Sequence, residues 1–282
     1  YDNNPNTELT YSAYKNIFVN DNRKYLISGT IDDIKKINKD NLYDCYNTFY
    51  NPNNMFVVIT GNVNPYEAIG IIENNQNKKQ FNNVIKNNKE INEVNKVNKD
   101  YEEKKMNVET NKLNVSYKIP RKIFKKLNLS DLELNSYTSI LFNILFGSTS
   151  NIQDKLISSK IIQNGINVNK TFTKDFIIIS ITSETDYPDT LIRYIRETIN
   201  NIIIEEETLE RKLKVYKSNY ILHFDDIELV NSNIQDNIIL YDKFIDNYMD
   251  LYDKINTNVI NEVGKYLKNI KESILVIKPK VK

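Results

Sequence analysis

Histidine occurs only once in this 282-residue sequence, at His223, and its scarcity limits the chemistry available to the chain. A catalytic zinc site takes three protein ligands from histidine, cysteine and carboxylates, so an isolated histidine is more often structural. A Ser-His-Asp arrangement would need His223 with Ser218 or Ser232 as the hydroxyl, and no G-x-S-x-G segment is present. We therefore predict no catalytic residue and no metal ligand in this sequence.

Carboxylates cluster at 205–207 and at 225–226. A glycosidase-like pair of acids is one interpretation, but adjacent acids on a helix usually form a solvated face. The six glycines are scattered and no G-x-x-x-x-G-K-S/T loop occurs, which argues against a nucleotide-phosphate site.

Composition excludes several other classes of function. The 38 basic and 37 acidic residues nearly balance, whereas a nucleic-acid binder normally has a basic excess. No run of 18 apolar residues is present, so we predict no membrane span. The single cysteine, Cys45, rules out an internal disulfide and favours a reducing, cytoplasmic location.

The segment FGSTS, from Phe146 to Ser150, joins a long apolar helix to a second helix. One interpretation is a helix C-cap at glycine followed by an N-cap at a hydroxyl residue. The other is a loop that presents backbone N–H groups and hydroxyls to a ligand.

Periodicity and capping signals predict the elements that would position these residues. The buried strand Met55–Thr60, a continuous apolar run, follows a helix capped by Asn38 and stopped at Pro52. The remaining predicted helices lie at 4–18, 32–37, 64–75, 129–146, from 151, 187–204, 205–241 with a break at 223–226, and from 256. The remaining predicted strands lie at 113–119, 167–173, 176–183 and 273–277.

Between about 74 and 109 the sequence becomes polar and charged, which is typical of a linker. We predict a first α/β domain at 1–82, a polar linker at 83–109 and a second α/β domain at 110–282. The predicted helix cap Asn38 is followed 18 residues later by an apolar run at 56–59, and the predicted cap Asn256 is followed at the same distance by an apolar run at 274–277. This repeat suggests that the two domains are related.

Taken together, these stretches resemble the insulinase/pitrilysin family of zinc metallopeptidases, in its bacterial processing-peptidase-like branch. The matching residues of the G-T-x-x-x-I and Y-x-P-x-N-M patterns are Gly29, Thr30, Ile34, Tyr50, Pro52, Asn54, Met55 and Gly61, and Gly147 and Ser150 fit the glycine-rich loop. The segments that carry the resemblance are YDNNP, ISGTIDDIKKI, FYNPNNMFVVITGNV and LFGSTSNIQDKL.

The resemblance implies two related α/β domains, the first one incomplete, and a zinc motif H-x-x-E-H that this sequence does not contain. All zinc ligands would lie upstream of Tyr1, with zinc in the full-length parent and none in this chain. The residues implied to bind substrate are Gly147, Ser148, Thr149 and Ser150. The family's substrate-holding arginine and tyrosine cannot be placed, because no arginine follows Arg211; Tyr241 is a loose candidate.

The resulting hypothesis is the C-terminal part of a zinc metallopeptidase subunit that encloses extended peptides but is not catalytic on its own. The alternative is a non-catalytic paralogue that serves as scaffold and peptide-binding partner of an active subunit. Either version implies a peptide or protein substrate and a homodimer or heterodimer with a related subunit. Neither implies nucleic acid or membrane as a partner.

Overall fold

The computed structural model describes residues 4–81 and 91–280, and it shows a mixed α/β protein, as the sequence predicts. The chain divides into two compact units. The first comprises Tyr1–Ile27, Ile91–Tyr216 and Asp250–Lys282, and the second comprises Ser28–Glu90 and Lys217–Met249. These units are discontinuous in sequence, so they do not follow the boundaries at 1–82, 83–109 and 110–282, which stay a prediction about family domains.

The first unit is organised around a five-stranded mixed sheet in the order β1-β5-β2-β4-β3. Only β1 and β5 run parallel; the other neighbours are antiparallel. The strand bounds are β1 Tyr101–Met106, β2 Lys112–Pro120, β3 Asn167–Phe172, β4 Phe176–Glu184 and β5 Lys271–Pro279. The four strands predicted in this part of the sequence are thereby confirmed, and β1 is an addition to them.

β1 corrects the prediction that 83–109 is only a linker. Its sequence, YEEKKM, alternates between exposed and half-buried positions, as expected for a strand at the edge of a sheet. The alternation is not visible in the sequence as apolar and polar residues, because the inward positions Glu102 and Lys104 are charged and face polar partners rather than an apolar core. Residues 82–90 of the predicted linker lie outside the described residues.

Opposite faces of the sheet are covered by different elements. The main core packs one face, with Val115, Ile179 and Val276 from the strands against helix residues such as Ile140 and Ile195. Helix α1 packs on the other face. The helix bounds in this unit are α1 Pro5–Ile17, α5 Asp131–Phe146, α6 Asn151–Ser158, α7 Pro188–Asn200 and α11 Thr257–Lys265, with α8 Glu206–Leu222 and α10 Met249–Lys254 extending into the second unit.

The second unit contains helices on either side of an extended segment. Their bounds are α2 Ile31–Lys36, α3 Lys39–Phe49, α4 Pro65–Gln76 and α9 Ile227–Tyr241. Asn38 caps α3, since its side chain accepts a hydrogen bond from the N–H of Asn41 at 2.9 Å. Asn256 caps α11 in the same way, so both predicted caps are confirmed.

The prediction of a buried strand at Met55–Thr60 is wrong for this structure. The segment belongs to no strand, and Met55, Phe56, Val57 and Ile59 are 48–66% exposed. A strand requires a neighbour for its backbone groups, and no described segment pairs with this one. The segment is instead held by α9, where the Asn231 amide donates to Val58 O at 3.2 Å and to Thr60 Oγ1 at 3.1 Å. Of the repeat predicted from sequence, a capped helix followed by a buried strand, the two caps are present, but the strand at Met55–Thr60 is not.

Among the described residues, no helix has the length and apolar character needed to cross a membrane.

Candidate functional site

The predicted binding loop, Gly147 to Ser150, connects α5 to α6 by two helix caps. The Gly147 N–H donates to Asn143 O at 2.9 Å, and the Ser150 N–H donates to Gly147 O at 2.9 Å. The Ser150 hydroxyl accepts from the N–H of Gln153, and the residue is 4% exposed. The capping interpretation of FGSTS is therefore confirmed, and the hydroxyl of Ser150 is engaged within the protein.

Glycine is required at position 147 for a steric reason rather than a conformational one. A Cβ there would lie 2.4 Å from Asn143 O and 2.8 Å from Asn143 Oδ1. Atoms that close must move apart, and the carbonyl belongs to the helix backbone. The loop therefore turns tightly against the end of α5, which leaves Ser148 and Thr149 exposed at its tip.

A buried lysine fixes the loop from α8. Lys212 is 9% exposed, and its Nζ donates to Asn143 Oδ1 at 2.8 Å and to Thr149 Oγ1 at 3.3 Å. Burial lowers the pKa of Lys212, and the nearby Arg211 adds to the effect. The hydrogen bonds hold the side chains of Asn143 and Thr149 in place.

Beside the loop lies a cavity of 370 Å³. Its lining comes from α5, from Gly147 and Ser148, from β3 and the preceding Ile166, from Ile179 of β4, and from Tyr216 of α8. Burial raises the pKa of Tyr216 to about 12, so its phenol stays neutral at physiological pH. The structure thus brings two of the four predicted residues to one cavity, whereas Thr149 and Ser150 line another recess with Glu205 and Arg211.

Lys170 of β3 is the charged residue of the 370 Å³ cavity. Its Nζ donates to Asn135 O at 2.6 Å and to the hydroxyl of Ser139. Burial lowers the pKa of Lys170 to about 7. We did not predict this residue from sequence; the run NVNKTF places lysine at an inward position only once the register of β3 on β4 is known.

Three other residues considered from sequence, His223, Asp226 and Glu206, make contacts within the protein. His223 contacts the carbonyl of Leu229 through Nε2 at 2.9 Å, and Asp226 caps α9 by accepting from the N–H groups of Glu228 and Leu229. Glu206 accepts from the hydroxyl of Thr257. Tyr241 is the last residue of α9. In the described part of the chain no three His, Cys, Asp or Glu residues converge as a metal site would require.

The sequence comparisons decide the family. Residues 36–216 match the family described as the peptidase M16 inactive domain. The uncharacterized zinc protease YmfH of Bacillus subtilis is 32% identical over 222 residues, which cover 76% of this chain and 51% of YmfH. The chain belongs to the M16 family of peptidases. It spans about half the length of this curated relative.

Two solved structures share the fold. An M16-like peptidase from Alicyclobacillus acidocaldarius has a TM-score of 0.88 at 20% identity, over 99% of this chain and 67% of that chain. A protease from Helicobacter pylori has a TM-score of 0.80 at 15% identity, over 99% of this chain and 68% of that chain. The resemblance to insulinase-like metallopeptidases is therefore confirmed for the family and for the fold.

Proposed function

We propose that this chain is a substrate-binding part of a zinc metallopeptidase subunit that holds extended peptides and does not hydrolyse them by itself. The observation that carries the proposal is the match to the inactive M16 domain in a sequence with a single histidine, which cannot contain H-x-x-E-H. Zinc and its ligands would come from another part of the parent protein, in keeping with the description of YmfH as a zinc protease.

The peptide would bind along β3. This strand lies at an edge of the described sheet, where backbone N–H and C=O groups can accept an added strand. The 370 Å³ cavity opens among residues 166–170 of the same region and Gly147–Ser148, so it supports a pocket for one peptide side chain. Gly147, Ser148, Thr149 and Ser150 remain the proposed substrate-binding loop, with Ser150 acting through the backbone turn that it caps.

The chain would work with a related subunit, as a homodimer or heterodimer, and in the cytoplasm. Large exposed apolar side chains in the second unit support an association surface; they include Ile31, Tyr43, Val57, Ile71 and Phe244. The free, exposed Cys45 fits a reducing compartment.

Peptide binding can be tested by filling the cavity from its rim. Ser148→Trp places a large ring at an exposed position of the lining, and Ser158→Trp does the same at an exposed position of α6 outside the lining. We expect Ser148→Trp to weaken binding of a labelled, unstructured peptide about tenfold, as measured by fluorescence anisotropy, and Ser158→Trp to have no effect. Equal affinity in the two variants would argue against the proposed site.

Catalysis is tested separately by zinc content and turnover of a quenched peptide. We expect neither zinc nor turnover in the 282-residue chain, and both in a parent protein that includes an H-x-x-E-H segment. A zinc-free, inactive parent would instead favour the alternative function, a non-catalytic scaffold and peptide-binding partner.

A further inference from the structure

The cavity beside the Gly147–Ser150 loop is lined by apolar and polar side chains and by one charged group. Its walls include Phe142, Phe146, Ile166 and Ile179. Of the described residues that line it, Lys170 alone carries a charge. A neutral peptide side chain would gain from the walls but would leave this ammonium without a counter-charge.

Within the described residues Lys170 has no carboxylate partner, unlike four other lysines of the same sheet; the exposed Lys105 and Lys271 also have none. Those four lysines form ion pairs with glutamates: Lys104 with Glu8, Lys112 with Glu184, Lys118 with Glu93 and Lys278 with Glu103. The Nζ of Lys170 instead contacts a backbone carbonyl and a hydroxyl, and no carboxylate of the described residues lies within ion-pair distance. Sequence and fold therefore place a partly buried cation where residues 4–81 and 91–280 supply no anion.

The hydrogen bonds of Lys170 leave room for one more acceptor. An ammonium group has three N–H donors. Two of them are used by Asn135 O and the Ser139 hydroxyl, and that hydroxyl itself donates to Asn135 O at 2.9 Å. The third N–H of Lys170 has no acceptor among the described residues, so an oxygen of a ligand can complete the set.

A second lysine, Lys212 of α8, contacts the same side of α5 as Lys170 does. Asn135, Ser139 and Asn143 follow each other at intervals of four on α5, and Lys170 contacts the first two while Lys212 contacts the third. Eight residues of helix span about 12 Å. Lys212 also lacks a carboxylate within ion-pair distance in the described part of the chain, so two ammonium groups contact this side of α5 without a carboxylate partner.

We propose that Lys170 makes this cavity a carboxylate-binding pocket, so that the peptide held beside β3 is recognised through an acidic group. The group is either an aspartate or glutamate side chain or the C-terminal carboxylate of the peptide. This inference rests on the proposed function and specifies its substrate class. The lowered pKa of Lys170 agrees with it, because a bound carboxylate would restore the protonated form.

Three peptides of otherwise identical sequence separate the sources of the carboxylate. One has a central glutamate and an amidated C-terminus, one has glutamine there and an amidated C-terminus, and one has glutamine and a free C-terminus. Their affinities for the 282-residue chain at pH 6.5–7 are measured by fluorescence anisotropy. We expect one of the two acidic peptides to bind about tenfold tighter than the neutral one, which corresponds to one charge-assisted hydrogen bond.

Variants assign the preference to Lys170. Lys170→Met should abolish the difference between acidic and neutral peptides, while Lys170→Arg should keep part of it. Lys214→Met removes the same charge from an exposed position of α8 and should leave the preference intact. Circular dichroism confirms that each variant is folded.

Each remaining outcome counts against the proposal. Measurable but equal binding of all three peptides would overturn the carboxylate pocket and leave the proposed peptide-binding function standing. If Lys214→Met lost the preference for acidic peptides as fully as Lys170→Met, the preference would reflect general charge attraction rather than a pocket at Lys170. Failure of every peptide to bind would overturn both the pocket and the proposed function.

Discussion

Lys118 and Glu93 form an ion pair in which the two side chains are 0% and 4% exposed. Lys118 lies on β2, and its Nζ also donates to Ile17 O at 3.1 Å and to Lys96 O at 2.9 Å. The Lys118 ammonium further lies 5.0 Å from the centre of the Phe176 ring. One lysine thus joins the end of α1 and the segment that follows residue 90 to the central sheet.

Glu93 completes this junction from the other side. Its carboxylate accepts hydrogen bonds from three consecutive backbone N–H groups, those of Val19, Asn20 and Asp21, at 3.0, 2.7 and 2.6 Å. Such a run of N–H groups forms an anion-binding concavity, which here is filled by the protein's own carboxylate.

Replacing Glu93 with glutamine should destabilise the protein strongly, because it leaves the buried charge of Lys118 without compensation. We expect Glu93→Gln to lower the free energy of unfolding by about 3–5 kcal/mol, measured by urea denaturation. Glu109→Gln, at an exposed position nearby in sequence, should change it by less than about 0.5 kcal/mol. A Glu93→Gln variant as stable as the Glu109→Gln control would show that the pair contributes little.

The same pair should govern stability in acid. Burial acts to raise the pKa of Glu93, but hydrogen bonds from Lys118 and from the backbone of Val19, Asn20 and Asp21 outweigh it, so the pKa lies below its ordinary value of 4.5. Between the lowered pKa and 4.5 the unfolded chain binds more protons than the folded one, so stability falls as the pH falls through this window. Glu93→Gln should flatten the fall, as measured by denaturant midpoints from pH 6 to pH 3. An unchanged slope would assign the acid sensitivity to other carboxylates.

Local signals in the sequence were sufficient for most of the helices and strands. Asn4, Asn38, Ser130 and Asn256 cap the helices that follow them, and the β-branched run FIIISITS forms β4. The signal failed at Met55–Thr60, whose composition is equally strand-like, because pairing depends on a neighbour rather than on propensity.

The polar interior could not be predicted from sequence. Lys118 and Lys170 look like ordinary strand lysines, and their burial follows from α1 and α5 packing on opposite faces of the sheet. Glu93 lies in a polar stretch typical of a linker, where nothing local marks it as the partner of Lys118. For the candidate site, the sequence predicts the loop from Gly147 to Ser150, which stays a prediction, while the cavity and its lysine required the tertiary structure.

Gly147 and Gly70 provide a matched test of the loop geometry. A Cβ at Gly147 would meet the Asn143 carbonyl at 2.4 Å, whereas a Cβ at Gly70, inside α4, meets nothing within 4 Å. Gly147→Ala should destabilise the protein by about 1–3 kcal/mol, and Gly70→Ala should stabilise it by about 0.5–1 kcal/mol because alanine favours the helix. Thermal or urea unfolding measures both changes. Stabilisation by Gly147→Ala would mean that the loop is not held against α5 as described.

Lys170 should make stability depend on pH in the alkaline range, in the direction opposite to an ordinary paired lysine. Burial lowers its pKa from 10.5 to about 7, so between these values the unfolded chain binds more protons than the folded one. Stability contributed by Lys170 therefore rises as the pH increases from 7 to 10.5, and the cost of burying its charge is greatest below pH 7.

Lys170→Met removes this cost, and its effect should shrink as the pH rises. We expect the variant to gain stability relative to the unmodified chain by ~2 kcal/mol near pH 6, with the advantage lost towards pH 10. Urea denaturation at a series of pH values measures the difference in unfolding free energy between the variant and the unmodified chain. Contributions from other lysines cancel in this difference. An advantage that stays constant with pH would mean that Lys170 is charged throughout, and that the cavity already satisfies its ammonium without a ligand.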